Sequence, residues 1–336
     1  MGASVTLPCC LKSLNFFNSS PDFRTIFSSA LPFVRLEELL ITRCNELETL
    51  PDDIGDLVPS LRKLTIQECY YFSHLPESFT SLSHLEELIV SLSGHLILPD
   101  SFGYMPALKL LVLDAVDILE LPPSFCHLTS LEALFINSLG PFREGASYVV
   151  DISQLSQLRV LKLNCVGVTC GPAVKRRLSC LEQPEQVEQL QQLEHLEMRW
   201  KGYRRELPVP LTFLPRLRSL LIEAPGIRSL PKIMAAVLPQ LRQLELLSWS
   251  PEELPESILE ISSLTSLKLH APQLELLPQG MSRLSRLHKL ELIRCNALQH
   301  LPEFLSQLQQ LILRDTSIPS LPASFVELIV EGLEDD

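Results

Sequence analysis

A short phrase, Leu-x-x-Leu-x-hydrophobic, recurs along this chain and restricts what it can fold into. It begins at Leu11, Leu36, Leu61, Leu85, Leu108, Leu131, Leu158, Leu193, Leu217, Leu241, Leu264, Leu287 and Leu308, with a partial copy at Phe325. The usual step is 23–25 residues. Three copies match position for position: Leu36, Leu39, Ile41, Cys44, Leu47, Leu50, Pro51; then Leu61, Leu64, Ile66, Cys69, Phe72, Leu75, Pro76; then Leu287, Leu290, Leu292, Cys295, Leu298, Leu301, Pro302. Self-similarity at such a period marks one small structural unit per copy.

The alternation inside the phrase says what that unit is. Apolar residues at every second position make a short strand with one buried face, and the residues between them face solvent. A Leu-Pro pair then turns the chain out of the sheet, because proline fixes φ and lacks a donor. A second apolar pair follows, as at Phe79 and Leu82 or Ile258 and Ile261, with the spacing of a short helical turn. One such coil cannot bury its own leucines, so the coils must stack. The predicted fold class is α/β: a right-handed horseshoe solenoid with a parallel concave β-sheet and short helical or irregular convex arcs. It is predicted as a single solenoid over 1–336 of about 13–14 coils, with an insertion at 166–192 in one of them.

Composition agrees. Leucine supplies 71 of 336 residues, which excludes a disordered or collagen-like chain. Charges interrupt the leucines, so no apolar run reaches the roughly 20 residues of a membrane span. The first eleven residues carry neither a basic region nor a long apolar core, so no secretory signal is expected. The net charge is −12, unfavourable for binding nucleic acid. Residues 1–168 hold 10 basic against 19 acidic residues, and the remainder 18 against 21. Basic or neutral partners are therefore steered toward the first half.

The pattern resembles the leucine-rich repeats of plant disease-resistance receptors, the nucleotide-binding immune receptors of land plants. The phrases Leu75-Pro-Glu-Ser-Phe79 and Leu98-Pro-Asp-Ser-Phe102-Gly carry the resemblance, as do Cys44-Asn45 and Cys295-Asn296. It implies ligand or effector sensing in innate immunity through the concave face. The chain departs from those receptors in lacking a G-x-x-x-x-G-K-[S/T] phosphate loop. Repeats of scaffolds that bind a small GTPase, and substrate-recognition repeats of bacterial effectors, look similar. Steps of about 21 after Leu287 and about 17 after Leu308 resemble the shorter effector form and keep that alternative open.

Enzyme motifs are missing: H-E-x-x-H, G-x-S-x-G and G-x-G-x-x-G do not occur. The expectation is a non-enzymatic recognition module without metal or cofactor, whose partner is a protein rather than a nucleic acid. Cys44, Cys69 and Cys295 occupy one repeat position at the strand exit, a structural role. Nine cysteines without a C-x-x-C pair or a signal peptide point to reduced thiols in the cytoplasm. Membrane association enters only through Gly2, Cys9 and Cys10, where Met1-Gly-Ala-Ser-Val-Thr6 fits a myristoylation pattern beside two palmitoylation candidates. The apolar residues Phe16, Phe17, Phe23, Ile26 and Phe27 suggest self-association or a preceding domain at that end.

Two surfaces are candidates for binding. Residues between the second and third apolar positions form a column on the concave face, in which Ile89, Val112 and Phe135 are consecutive. Leu92, Leu110, Ala133 and Ala115 extend that apolar patch. Lys162, Glu197, Arg199, Trp200, Glu223 and Glu245 supply a charged flank, Arg and Trp being enriched at binding hot spots. The second candidate is the insertion, whose Lys175, Arg176 and Arg177 would meet an acidic partner.

Overall fold

The computed structural model describes residues 10–19, 26, 33–118, 121–138, 152, 154–165, 190–200, 214–223, 225, 227, 230, 234–302, 308–318 and 329–331. The chain divides into two compact units, residues 1–167 with 172–190, and residues 168–171 with 191–336. Each is built from stacked coils that contribute one parallel strand apiece, the solenoid class read from the alternation.

In the first unit the sheet runs through β1 (Ser13–Phe17), β2 (Glu38–Thr42), β3 (Lys63–Gln67), β4 (Glu87–Ser91), β6 (Leu110–Asp114), β8 (Ala133–Ser138) and β9 (Val160–Cys165). Between them, β5 (His95–Leu96) and β7 (Asp117–Ile118) pair as a second, two-stranded ladder. The second unit runs β10 (His195–Trp200), β11 (Ser219–Glu223), β12 (Gln243–Leu247), β13 (Ser266–His270), β14 (Lys289–Ile293), β15 (Gln310–Arg314) and β16 (Ile329–Glu331).

Register follows the repeat. Leu39 pairs with Leu64 and Leu64 with Leu88, and Leu220 with Leu244 and Leu244 with Leu267. The shortened coil after Leu287 keeps this order, Leu290 pairing with Leu311. The last strand corrects the sequence reading. A copy starting at Phe325 would set Leu328 beside Leu311, but Val330 sits there instead. A two-residue slip leaves the same side chains on the same face, so alternation alone does not distinguish the two registers.

The leucines form the core. Leu64, Leu88, Leu111, Leu134 and Leu161 are fully buried, as are Leu244, Leu267 and Leu290. Burying one such side chain is worth about 2 kcal/mol, and only a neighbouring coil completes the burial. At the strand exits the backbone takes the left-handed region at Asn18, Arg43, Glu68, Leu92, Ala115, Ser248, Arg294 and Asp315. Among these only asparagine and aspartate are suited to it. At Asn18, Arg43, Glu68, Leu92 and Arg294 the turn is held because the N–H continues the ladder: Arg43 donates to the Gln67 carbonyl at 2.9 Å and Leu92 to that of Asp114 at 2.9 Å.

That turn drops the next residue inward. Cys44, Cys69 and Cys295 are buried there, with Sγ 3.4–3.6 Å from the carbonyls of Thr42, Gln67 and Ile293. Burial raises the thiol pKa of Cys69 and Cys295, which keeps the nucleophilic thiolate scarce. In another coil Trp249 takes the cysteine position and its indole donates to the Glu253 carbonyl at 3.4 Å.

On the opposite side, the Leu-Pro-x-Ser-Phe phrases form short 3-10 turns such as Glu77–Ser81 and Pro123–His127. Phe79, Phe102 and Phe125 are buried there, and the Phe102 and Phe125 rings stack at 6.4 Å. The Ser124 hydroxyl accepts the Gly103 N–H of the preceding turn at 2.9 Å, lacing one arc to the next.

Candidate functional site

Each strand leaves alternate side chains on its open face. In the first unit the strand pairing lines them up as three columns. The first reads Ser13, Glu38, Lys63, Glu87, Leu110, Ala133, Val160. The middle column reads Asn15, Leu40, Thr65, Ile89, Val112, Phe135, Lys162. The third reads Phe17, Thr42, Gln67, Ser91, Asp114, Asn137, Asn164. The middle column is the one inferred from sequence.

Ile89, Val112, Phe135, Leu110 and Ala133 are half-buried, and Leu92 is exposed at the strand exit. Strands about 4.8 Å apart shield one another's side chains laterally, which explains why these are not fully exposed. The Lys162 ammonium lies over the Phe135 ring, 5.2 Å from its centroid. The apolar column thus ends at a cation, a favourable contact with the ring face.

Charges at the edge of this face pair with one another. At the position preceding each strand stand Lys12, Glu37, Arg62, Glu86, Lys109, Glu132 and Arg159, alternating in sign. Lys12 meets Glu37 at 2.9 Å, and Glu86 meets both Arg62 at 2.5 Å and Lys109 at 2.8 Å. The hydrogen bond from Lys12 lowers the Glu37 pKa, and that from Lys109 lowers the Glu86 pKa. Within the face, Lys63 bridges to Glu87 at 2.7 Å. Exposed pairs of this kind contribute little stability; their consequence is that these carboxylates are already occupied. Asp114 differs. Its carboxylate receives the Asn137 side-chain amide at 2.6 Å, and it has no cationic partner among the described residues. The Asn137 carbonyl oxygen is buried without a hydrogen bond.

In the second unit the predicted flank is a set of ion pairs. Arg199 bridges Glu197 at 2.6 Å and Glu223 at 3.0 Å. Burial pulls its pKa down, but the hydrogen bond and charge of Glu197 and the charge of Glu223 outweigh this and leave it raised. Glu245 lies 3.8 Å from Lys268. Glu291, only 7% exposed, stands among Lys268, Lys289 and Arg314 at 3.6–4.0 Å. Trp200 ends β10.

His270 is half-buried on the same face, and its Nδ1 accepts the Ser248 N–H at 3.2 Å. Burial, and then the nearby Arg294 charge, lower its pKa. The folded state therefore binds this proton less readily than the unfolded chain. Stability from this group is present above the unfolded value near 6.5 and falls as pH drops through it. His270→Asn, which retains an acceptor, is expected to lose less stability than the parent between pH 7 and 5.5. Urea unfolding at the two pH values measures the difference, and equal losses would count against it.

Lys175, Arg176, Arg177, Gly2, Cys9, Phe23 and Phe27 lie outside the described residues, and Cys10 is exposed. Sequence reasoning passed over Asp114, Asn137 and Glu291 as sites in their own right. The same alternation that located Val112 and Phe135 places Asp114 and Asn137 two residues on, so the first pair was within reach. The large exposed residues Tyr70, Tyr71, Ile97 and Tyr104 were missed as well. They occur in the loops and arcs, where the repeat sets no alternation.

Comparison with known proteins agrees with the architecture. A family model described as a leucine-rich repeat region matches residues 10–246. No curated protein matches the sequence. A leucine-rich-repeat protein of Leptospira interrogans is 23% identical, with 97% of this chain and 92% of that one covered and a TM-score of 0.62. A plant peptide hormone receptor in complex with its peptide is 21% identical, covering 98% of this chain and 56% of the receptor, with a TM-score of 0.57. The Toll-like receptor TLR13, in complex with single-stranded RNA, is 18% identical over 94% of this chain and 56% of its own, with a TM-score of 0.58. At these identities the likeness establishes the fold alone.

Proposed function

Because the chain belongs to the leucine-rich-repeat family, we propose that it is a non-enzymatic protein-recognition module that uses the open face of its first unit. The observation that carries this is the column Ile89, Val112 and Phe135, apolar and half-exposed where a strand face normally presents polar residues. Glu37, Glu68, Glu86 and Glu87 around it are already ion-paired, so contact at the column itself relies on apolar burial. The structural neighbours' complexes with a peptide and with RNA make both ligand classes candidates. The net charge of −12 favours the protein.

The biological setting we propose is ligand or effector sensing in plant-type innate immunity, in the cytoplasm. Its support is the resemblance carried by Leu75-Pro-Glu-Ser-Phe79, Leu98-Pro-Asp-Ser-Phe102 and the Cys-Asn pairs. A second reading, substrate recognition by a bacterial effector, is favoured by the 21-residue step between Leu287 and Leu308. A nucleotide-binding domain encoded in the same gene supports the first reading, and a ligase domain the second.

The binding face is tested by using the whole chain as bait and comparing it with Phe135→Glu. Truncating a good contact costs about 1–3 kcal/mol of binding, and a buried charge costs more. Capture of the partner is expected to fall at least about tenfold, with the unfolding curve little changed because the site is already half-exposed. Undiminished capture by Phe135→Glu places the ligand elsewhere.

A further inference from the structure

The chemistry of the ligand can be narrowed from what surrounds the apolar column. This inference rests on the first unit's open face being the binding surface. Val112 and Asp114 are two residues apart on β6 and share that face. Beside them on β8 stand Phe135 and Asn137, in register with Val112 and Asp114. The face therefore presents an apolar pair and, one pleat further along, a carboxylate bonded to an amide.

The polar pair seeks a donor. The Asn137 Nδ2 donates to Asp114 Oδ1 at 2.6 Å, which holds the carboxylate in place and leaves its other oxygen able to accept. No cation neutralises Asp114 among the described residues. By contrast Glu87, Glu86, Glu68 and Glu37 are bridged to Lys63, Lys109, Arg43 and Lys12. The cation on the face nearest the apolar pair is Lys162, and it sits over the Phe135 ring. A positive group on the ligand is thus drawn to the Asp114 end of the face. Residues 1–168 carry 10 basic against 19 acidic residues, which favours the same sign of partner at longer range.

Spacing completes the argument. An extended peptide repeats its side-chain direction every second residue, about 6.6–6.8 Å. That is also the separation of Val112 from Asp114 along the strand. We propose that the first unit binds an extended peptide segment of the form apolar-x-Lys or apolar-x-Arg. Its apolar side chain packs on Val112 and Phe135, and its cation bonds to the Asp114 carboxylate.

Selection of a random dodecapeptide display library on the immobilised whole chain tests this, in parallel with Asp114→Asn and Val112→Glu. The parent is expected to enrich peptides with lysine or arginine two residues from an aliphatic or aromatic residue. A charge-assisted hydrogen bond is worth enough that Asp114→Asn should weaken the selected peptides about tenfold, while Asp114→Glu retains most of their affinity. An acidic or neutral consensus, or the same peptides binding Asp114→Asn equally well, overturns the inference. Loss of binding in Val112→Glu without loss in Asp114→Asn leaves the face intact as the binding surface and removes only the cation. Equal binding by Val112→Glu overturns the surface itself.

Discussion

Phe102→Ala is expected to destabilise the first unit by about 3–5 kcal/mol, the usual cost of deleting a fully buried aromatic ring. Phe102 has no solvent exposure, and its ring stacks on Phe125 at 6.4 Å with an interplanar angle of 11°. Phe79 is buried at the same position of the preceding arc. The phenylalanines therefore form a spine on the arc side, and removing the middle one leaves a cavity with neighbours in two coils. Collapse is hindered because the leucine ladder fixes the spacing of those coils. The loss should appear in urea unfolding and as faster amide exchange across the turns at Pro123–His127 and Glu77–Ser81. In a repeat protein such a break can uncouple neighbouring coils, so a broadened transition is also expected. An unchanged midpoint would mean that the spine carries little of the stability.

Gly103→Ala is expected to be nearly as costly for the opposite reason. A Cβ built on Gly103 would overlap the Ser124 carbonyl oxygen of the next arc. Backbone cannot step aside as a flexible side chain can. The two turns must separate, and this also strains the Gly103 N–H to Ser124 hydroxyl bond at 2.9 Å. Overpacking typically costs about 1–3 kcal/mol, and a weakened buried hydrogen bond adds about 1 kcal/mol. Ser124→Ala in the parent should cost only the hydrogen-bond part. If Gly103→Ala is no worse than Ser124→Ala, the arcs are less tightly apposed than the structure has them.

Both predictions concern a phrase, Leu-Pro-x-Ser-Phe-Gly, that sequence reading used mainly to mark a turn and a family resemblance. Its leucine, proline and phenylalanine were legible because a repeat shows which positions stay apolar. The glycine was not, because its requirement comes from the carbonyl of a residue 21 positions later, a contact without local pattern. The same distinction holds at the strand exits. The sequence marks Cys44, Cys69 and Cys295 as equivalent and inward. It does not reveal that Arg43, Glu68 and Arg294 before them take left-handed backbone, since nothing in those residue types favours it.

The open face divides in the same way. Leucine alternation alone determined the strands, their buried side, and the column Ile89–Val112–Phe135, because a period of two leaves each side chain only two directions. It also determined that the coils must stack, since one coil cannot bury its leucines alone. The tertiary structure decided which charges meet: Arg199 between Glu197 and Glu223, Glu291 among three cations, Asp114 with Asn137 and, among the described residues, no cation. Arg199–Glu223, Lys268–Glu291 and Asp114–Asn137 depend on rotamers of residues 23–24 positions apart, brought side by side by the stacking. The tertiary structure also set the register of the last strand, where Val330 rather than Leu328 lies beside Leu311. A slip of two residues preserves every inward and outward direction, so packing between coils, and not the alternation, chooses between the registers.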